Sequence, residues 1–77
     1  MGIEITYDEE ANAAYVELAP TYDEERQRQV WASTDGLGFD IILDLDPDGK
    51  ILGIEVLGAR EAFREDILAT ASPTPET

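Results

Sequence analysis

The chain has 77 residues, eighteen of them acidic and five basic, for a net charge of −13. It contains neither cysteine nor histidine, which excludes disulfides, thiolate metal sites and the commonest general base. Direct nucleic-acid binding is disfavoured as well, because it depends on Lys and Arg displacing counterions.

A chain this short buries only about 60–65% of its unfolded surface, so a lone monomer has a small core. No apolar run approaches a membrane span, and the first residues lack the basic-then-apolar order of a signal peptide. A cytoplasmic protein without a cofactor is expected, with neither membrane nor nucleic acid as partner. The acidity has two readings. It keeps a small protein soluble or suits a salt-rich cytoplasm, or it steers a basic protein partner to the surface.

Ile3, Ile5 and Tyr7 alternate with Glu4 and Thr6, which marks a strand with one buried face. Asp8 to Asn12 is a polar turn in which Asn12 can take a left-handed conformation. Ala14, Val16 and Leu18 alternate with Tyr15 and Glu17 in a second strand that pairs back on the first. Pro20 to Glu25 is an acidic loop. Arg26 to Ser33 is a third strand, although only Val30, Trp31 and Ala32 in it are apolar. Thr34 to Gly38 is a glycine-rich turn.

The next segment, Asp44-Leu-Asp46-Pro-Asp48-Gly49-Lys-Ile51-Leu-Gly-Ile-Glu55, fits every fixed position of an EF-hand calcium loop. Such a loop works only between two helices that bring its oxygen ligands together. The flanks here alternate instead. Phe39, Ile41, Leu43 and Leu45 run up to Pro47 and Leu52, Ile54 and Val56 come after Gly49, all with a period of two. A turn at Asp48-Gly49 sets Leu45 opposite Leu52, Leu43 opposite Ile54 and Ile41 opposite Val56, on one face. Glu55 then lies opposite Ile42 and cannot close a calcium cage with Asp48. The hairpin is the preferred reading. Weak divalent-cation (calcium) binding by Asp44, Asp46 and Asp48, with Glu55, is the alternative.

After Gly58 the period changes: Ala59, Ala62, Phe63 and Ile67 recur at helical spacing, in a helix ending near Thr70. Residues 71–77 have no apolar face and are expected to be disordered. Residues 1–70 therefore read as one small α+β domain, a five-stranded antiparallel β-meander with one C-terminal helix packed on one face. The meander order follows from the short connections. The uncovered face carries Tyr15, Ile42, Ile51 and Leu57 among acids, and with Trp31 these are the interface candidates. Trp31 itself has two readings, an interface anchor or a core residue filling a gap under the helix.

The order Ile-Thr-Tyr7-Asp8, two acids, Ala11, then Ala-Tyr15-Val-Glu-Leu18 resembles a widespread family of small bacterial proteins, domain of unknown function 2283. The second half is similar too, with Ile-Leu-Asp44-Leu-Asp46, a turn at Gly49, and Leu52-Gly53-Ile54-Glu55-Val56-Leu57. The similarity spans about residues 3 to 65, while the stretch from Pro20 to Arg28, with Trp31, departs from the shorter one expected. The resemblance implies that the turn at Gly49 is a recurrent hairpin. It implies no catalytic residue or cofactor, and its members are suspected of being antitoxin-like partners of small toxins.

Asp40 and Asp44 share a strand face with Glu55 across the ladder, the kind of pairing general acid–base chemistry uses. Clusters like this arise by chance on so acidic a surface, and no Ser-His, Cys-His or phosphate-loop pattern accompanies them. No catalytic residue is assigned. The expected function is a non-enzymatic acidic protein-interaction module, either an antitoxin-like partner of a small basic protein or a homodimeric structural unit. On the hairpin reading, millimolar calcium leaves the Gly49 amide resonance unmoved in an NMR titration. A saturable shift there would favour the calcium loop.

Overall fold

The computed structural model describes residues 3–18 and 28–73. The acidic loop expected at Pro20 to Glu25 lies outside the described residues, as do Arg26 and Gln27 of the expected third strand. The elements are β1 (Glu4–Asp8), β2 (Ala13–Glu17), β3 (Arg28–Ala32), β4 (Asp40–Leu45) and β5 (Ile51–Leu57). They are followed by α1 (Ala59–Ala62), α2 (Glu65–Thr70) and β6 (Ser72–Pro73). The fold is α+β, with one mixed six-stranded sheet in the order β3-β4-β5-β2-β1-β6.

The expected five-stranded antiparallel meander is thus corrected, first in its strand order. β5 lies beside β2, pairing Ala14 with Val56 and Val16 with Ile54. The physical reason is the apolar row. Ile5 and Tyr7 oppose Val16 and Ala14, and Ile54 and Val56 oppose Leu43 and Ile41, so joining β2 to β5 makes one continuous apolar face. β3 could offer that row only Val30 and Ala32. Three strand spacings, roughly 14 Å, separate β2 from β3, a distance the chain from Glu17 to Arg28 spans easily.

The single helix is corrected too. α1 and α2 are separated by Phe63 and Arg64, both extended (φ −115°, ψ 149° and φ −66°, ψ 151°). One continuous helix would have turned Ile67 toward the sheet. The break re-aims the last turns, so that Leu68 packs on the core with Phe63 while Ile67 stays 37% exposed. Ala14, Val56 and Ala59 form the buried centre, with Tyr7, Phe39, Ile54 and Ala62 packed around it. The third correction concerns the C-terminal segment. Ser72 and Pro73 run parallel to Thr6 and Tyr7, so the sheet is mixed and not purely antiparallel. Residues 74–77 of the tail expected to be disordered lie outside the described residues.

The β4–β5 hairpin keeps the expected pairs Leu43–Ile54, Ile41–Val56 and Ile42–Glu55. Nearer the turn Leu45 faces Ile51 and not Leu52, with a bulge at Asp44/Leu45. The turn is longer than two residues: the Gly49 amide donates to the Asp46 carbonyl and the Asp46 amide to the Lys50 carbonyl, each at 2.9 Å. Asp46 Oδ1 also accepts from the Asp48 and Lys50 amides, both at 2.9 Å. Gly49 takes the left-handed φ of 81° that ends this turn. The bulge absorbs the register shift that the longer turn creates.

Asn12 fastens the helical layer to the sheet. It adopts the left-handed conformation expected of it, at φ 52°. Its carbonyl accepts from the Gly58 and Ala59 amides, both at 2.9 Å, and its Oδ1 accepts from the Arg60 amide at 2.8 Å. Its Nδ2 donates to Glu61 Oε1 at 2.8 Å. α1 has no side-chain cap of its own, so Asn12 satisfies amides that would otherwise be orphaned at its N-terminus. Gly58 enters α1 at φ 95°, and a Cβ there would stand 3.1 Å from Phe39 Cβ. Asn12→Ala is expected to lower stability by about 2 kcal/mol in urea denaturation, the range of a lost cap. A loss below about 0.5 kcal/mol, the level of an ordinary surface substitution, would contradict this role.

Candidate interaction face

Strand alternation puts two cross-sheet rows on the face opposite the helices. One runs from Trp31 through Ile42, Glu55 and Tyr15 to Thr6. The next runs from Gln29 through Asp44, Gly53 and Glu17 to Glu4. Tyr15 leans out of its own row into the second. Its hydroxyl donates to Asp44 Oδ2 at 2.8 Å, although β5 runs between β2 and β4.

That reach is open because the crossed residue is Gly53. A Cβ built there would lie 3.0 Å from Tyr15 Cε2 and collide with the phenolic end of the ring. Asp44 is only 1% exposed, and its second oxygen is also held: Gln29 Nε2 donates to Oδ1 at 3.0 Å. A buried carboxylate is costly unless it accepts such bonds. Among the described residues, no buried side-chain polar atom lacks a partner.

The five interface candidates separate in this geometry. Trp31 is 62% exposed and Ile51 46%, whereas Ile42 is buried at 6%. Tyr15 and Leu57 are half-buried. Trp31, Ile42 and Tyr15 share one row. Leu57 lies in the row of Asp40 and Ala13, and Ile51 stands apart at the bulge, opposite Leu45. The position of Trp31 is that of a surface residue on an edge strand, not of a residue filling a gap under the helix.

The acids separate as well. Asp40, Asp44 and Glu55 do share a face, but the Asp44 carboxylate is engaged by Tyr15 and Gln29. Asp46 Oδ1 is occupied by the turn amides. Among the described residues, no group of three or more acids could hold a metal ion. Sequence reasoning took Asp44 for a surface acid and missed its network. The signal was present in Gly53, a glycine inside a strand, which the expected register already sets opposite Asp44.

A comparison with protein-family models matches residues 4–60 to a family described as a protein of unknown function, DUF2283. The chain belongs to DUF2283. The matched region runs from β1 to the first turn of α1 and takes in Asn12, Tyr15, Gln29, Asp44 and Gly53. No curated protein and no solved structure matches the chain. Among the described residues, no helix is long and apolar enough to cross a membrane.

The crossing makes a sharp prediction for this DUF2283 chain. Gly53→Ala is expected to lower stability by about 3 kcal/mol, as a steric intrusion into packed structure does. In a Tyr15→Ala background the same change is expected to cost less than about 1 kcal/mol, because the colliding ring is gone. Equal costs in both backgrounds, measured by urea unfolding, would contradict the crossing.

Proposed function

We propose that this DUF2283 protein is a non-enzymatic interaction module that binds a basic protein partner, as an antitoxin-like protein does. The observation that carries the reading is Trp31, 62% exposed at the end of a cross-sheet row. Trp is among the residues that dominate binding energy at interfaces. The same sheet face bears Glu4, Asp8, Glu17, Asp40 and Glu55. Lys and Arg of a partner can pair with these carboxylates, and an Arg can stack on the indole. The net charge of −13 speeds the encounter with a basic body and makes it sensitive to salt.

The Asp44 network supports this role indirectly. Gln29 and Trp31 belong to the same strand, and the Gln29 bond to Asp44 ties that strand to the sheet. The anchor is therefore presented on a fixed backbone, which reduces the ordering cost of binding.

Two measurements follow. Trp31 fluorescence is expected at the red end, and quenched more by caesium than by iodide at low salt, because the acidic surface repels the anion. A blue-shifted emission indifferent to both ions would contradict its exposure. Tagged protein is expected to capture a basic protein from its source-cell lysate at low salt, release it as salt rises, and lose it with Trp31→Ala. Recovery of the bait alone, or capture untouched by Trp31→Ala, would overturn the reading.

A further inference from the structure

We infer that the outer edge of β3 takes β3 of a second copy of this chain, antiparallel, joining two sheets into one. The two edges of the sheet are unlike each other. β6 is two residues long and contains Pro73, and a short strand with proline is a poor template for further pairing. β3 is five residues long, without lysine, proline or a bulge, and pairs evenly with β4 from Arg28–Leu45 to Ala32–Ile41. Among the described residues, no strand lies on its outer side. Of the usual devices that block edge pairing, β3 carries one charged residue, Arg28, at its first position.

Charge selects the occupant. The run from Arg26 to Thr34 contains no acid and two of the five basic residues of a chain whose net charge is −13. An incoming basic strand would find no carboxylate on β3. A second copy meets this acid-free run with its own, and the repulsion that remains between the two acidic bodies is screened by salt. Centred on Val30, the pairing sets Val30 against Val30 of the second copy, Gln29 against its Trp31 and Arg28 against its Ala32. Val30 and Trp31 are 36% and 62% exposed and point to opposite faces of the sheet, so apolar contact forms on both sides of the new ladder.

An edge of this length buries less than about 1,000 Å², the range of weak association. The dimer is accordingly concentration-dependent. It also has a salt response opposite to that of the basic partner. Salt screens the repulsion between two acidic bodies and tightens the dimer, while the same salt weakens an acid–base complex. The inference deepens the interaction-module reading and rests on its view of β3 as a presented strand, but not on the identity of the basic partner.

The test is sedimentation of the full chain over a range of concentrations, at low and high sodium chloride. A monomer–dimer equilibrium is expected that tightens more than ~10-fold with salt and is lost in Val30→Lys. In the unsubstituted protein, the outward β3 amides are expected to exchange more slowly as concentration rises. That measurement decides the matter if Val30→Lys fails to fold. A monomer under every condition, a dimer that loosens with salt, or a dimer whose formation leaves β3 exchange unchanged would overturn the inference. A monomer that still captures a basic protein through Trp31 would leave the proposed function standing and remove only the dimer.

Discussion

The fold depends on one contact made across a strand. The sheet is built from two local units, the β1–β2 hairpin and the β3–β4–β5 run, and they meet where β2 pairs with β5. At that seam the Tyr15 ring passes over Gly53 to donate to the buried Asp44 carboxylate. An uncompensated buried carboxylate costs several kcal/mol, so opening the seam would strip a donor from a group that needs it. The contact also selects the register. A one-residue slip of β5 would bring Leu52 or Ile54 under the ring and close the passage.

Asn12 secures the same seam from the other side. It lies in the turn between β1 and β2 and binds Gly58, Ala59, Arg60 and Glu61, just beyond the end of β5. One end of the β2–β5 pair is thus held by the helical layer and the other by the Tyr15–Asp44 bond on the opposite face. Two polar clamps of this kind suit a chain whose core cluster under the helices centres on three small or medium side chains, Ala14, Val56 and Ala59. Gln29 carries the second clamp on to β3, which places the exposed Trp31 on a strand fixed to the rest of the sheet.

The local elements were legible because period-two and helical patterns are local. β1, β2, β4 and β5 fall where alternation puts them, and the pairs Leu43–Ile54 and Ile41–Val56 follow from matching two apolar runs. The strand order was not legible in this way, because the β2–β5 pairing is non-local and short connections favour a meander. The helix break escaped for a related reason. Spacing alone cannot tell whether Ile67 or Leu68 meets the core until the sheet position is known. Asp44 was the costliest miss, since a carboxylate in an acidic loop reads as solvent-exposed. Gly53 pointed the other way, as a strand residue with no side chain opposite a polar one.

The most direct test of the seam is the NMR signature of Gly53. With the Tyr15 ring lying over it, its α-protons are expected at strongly shifted positions that return to ordinary strand values in Tyr15→Ala. Nuclear Overhauser contacts should also join Tyr15 to Gly53 and Glu55. Unshifted Gly53 α-protons, with β2 in contact with β3 instead, would contradict the account and restore the meander.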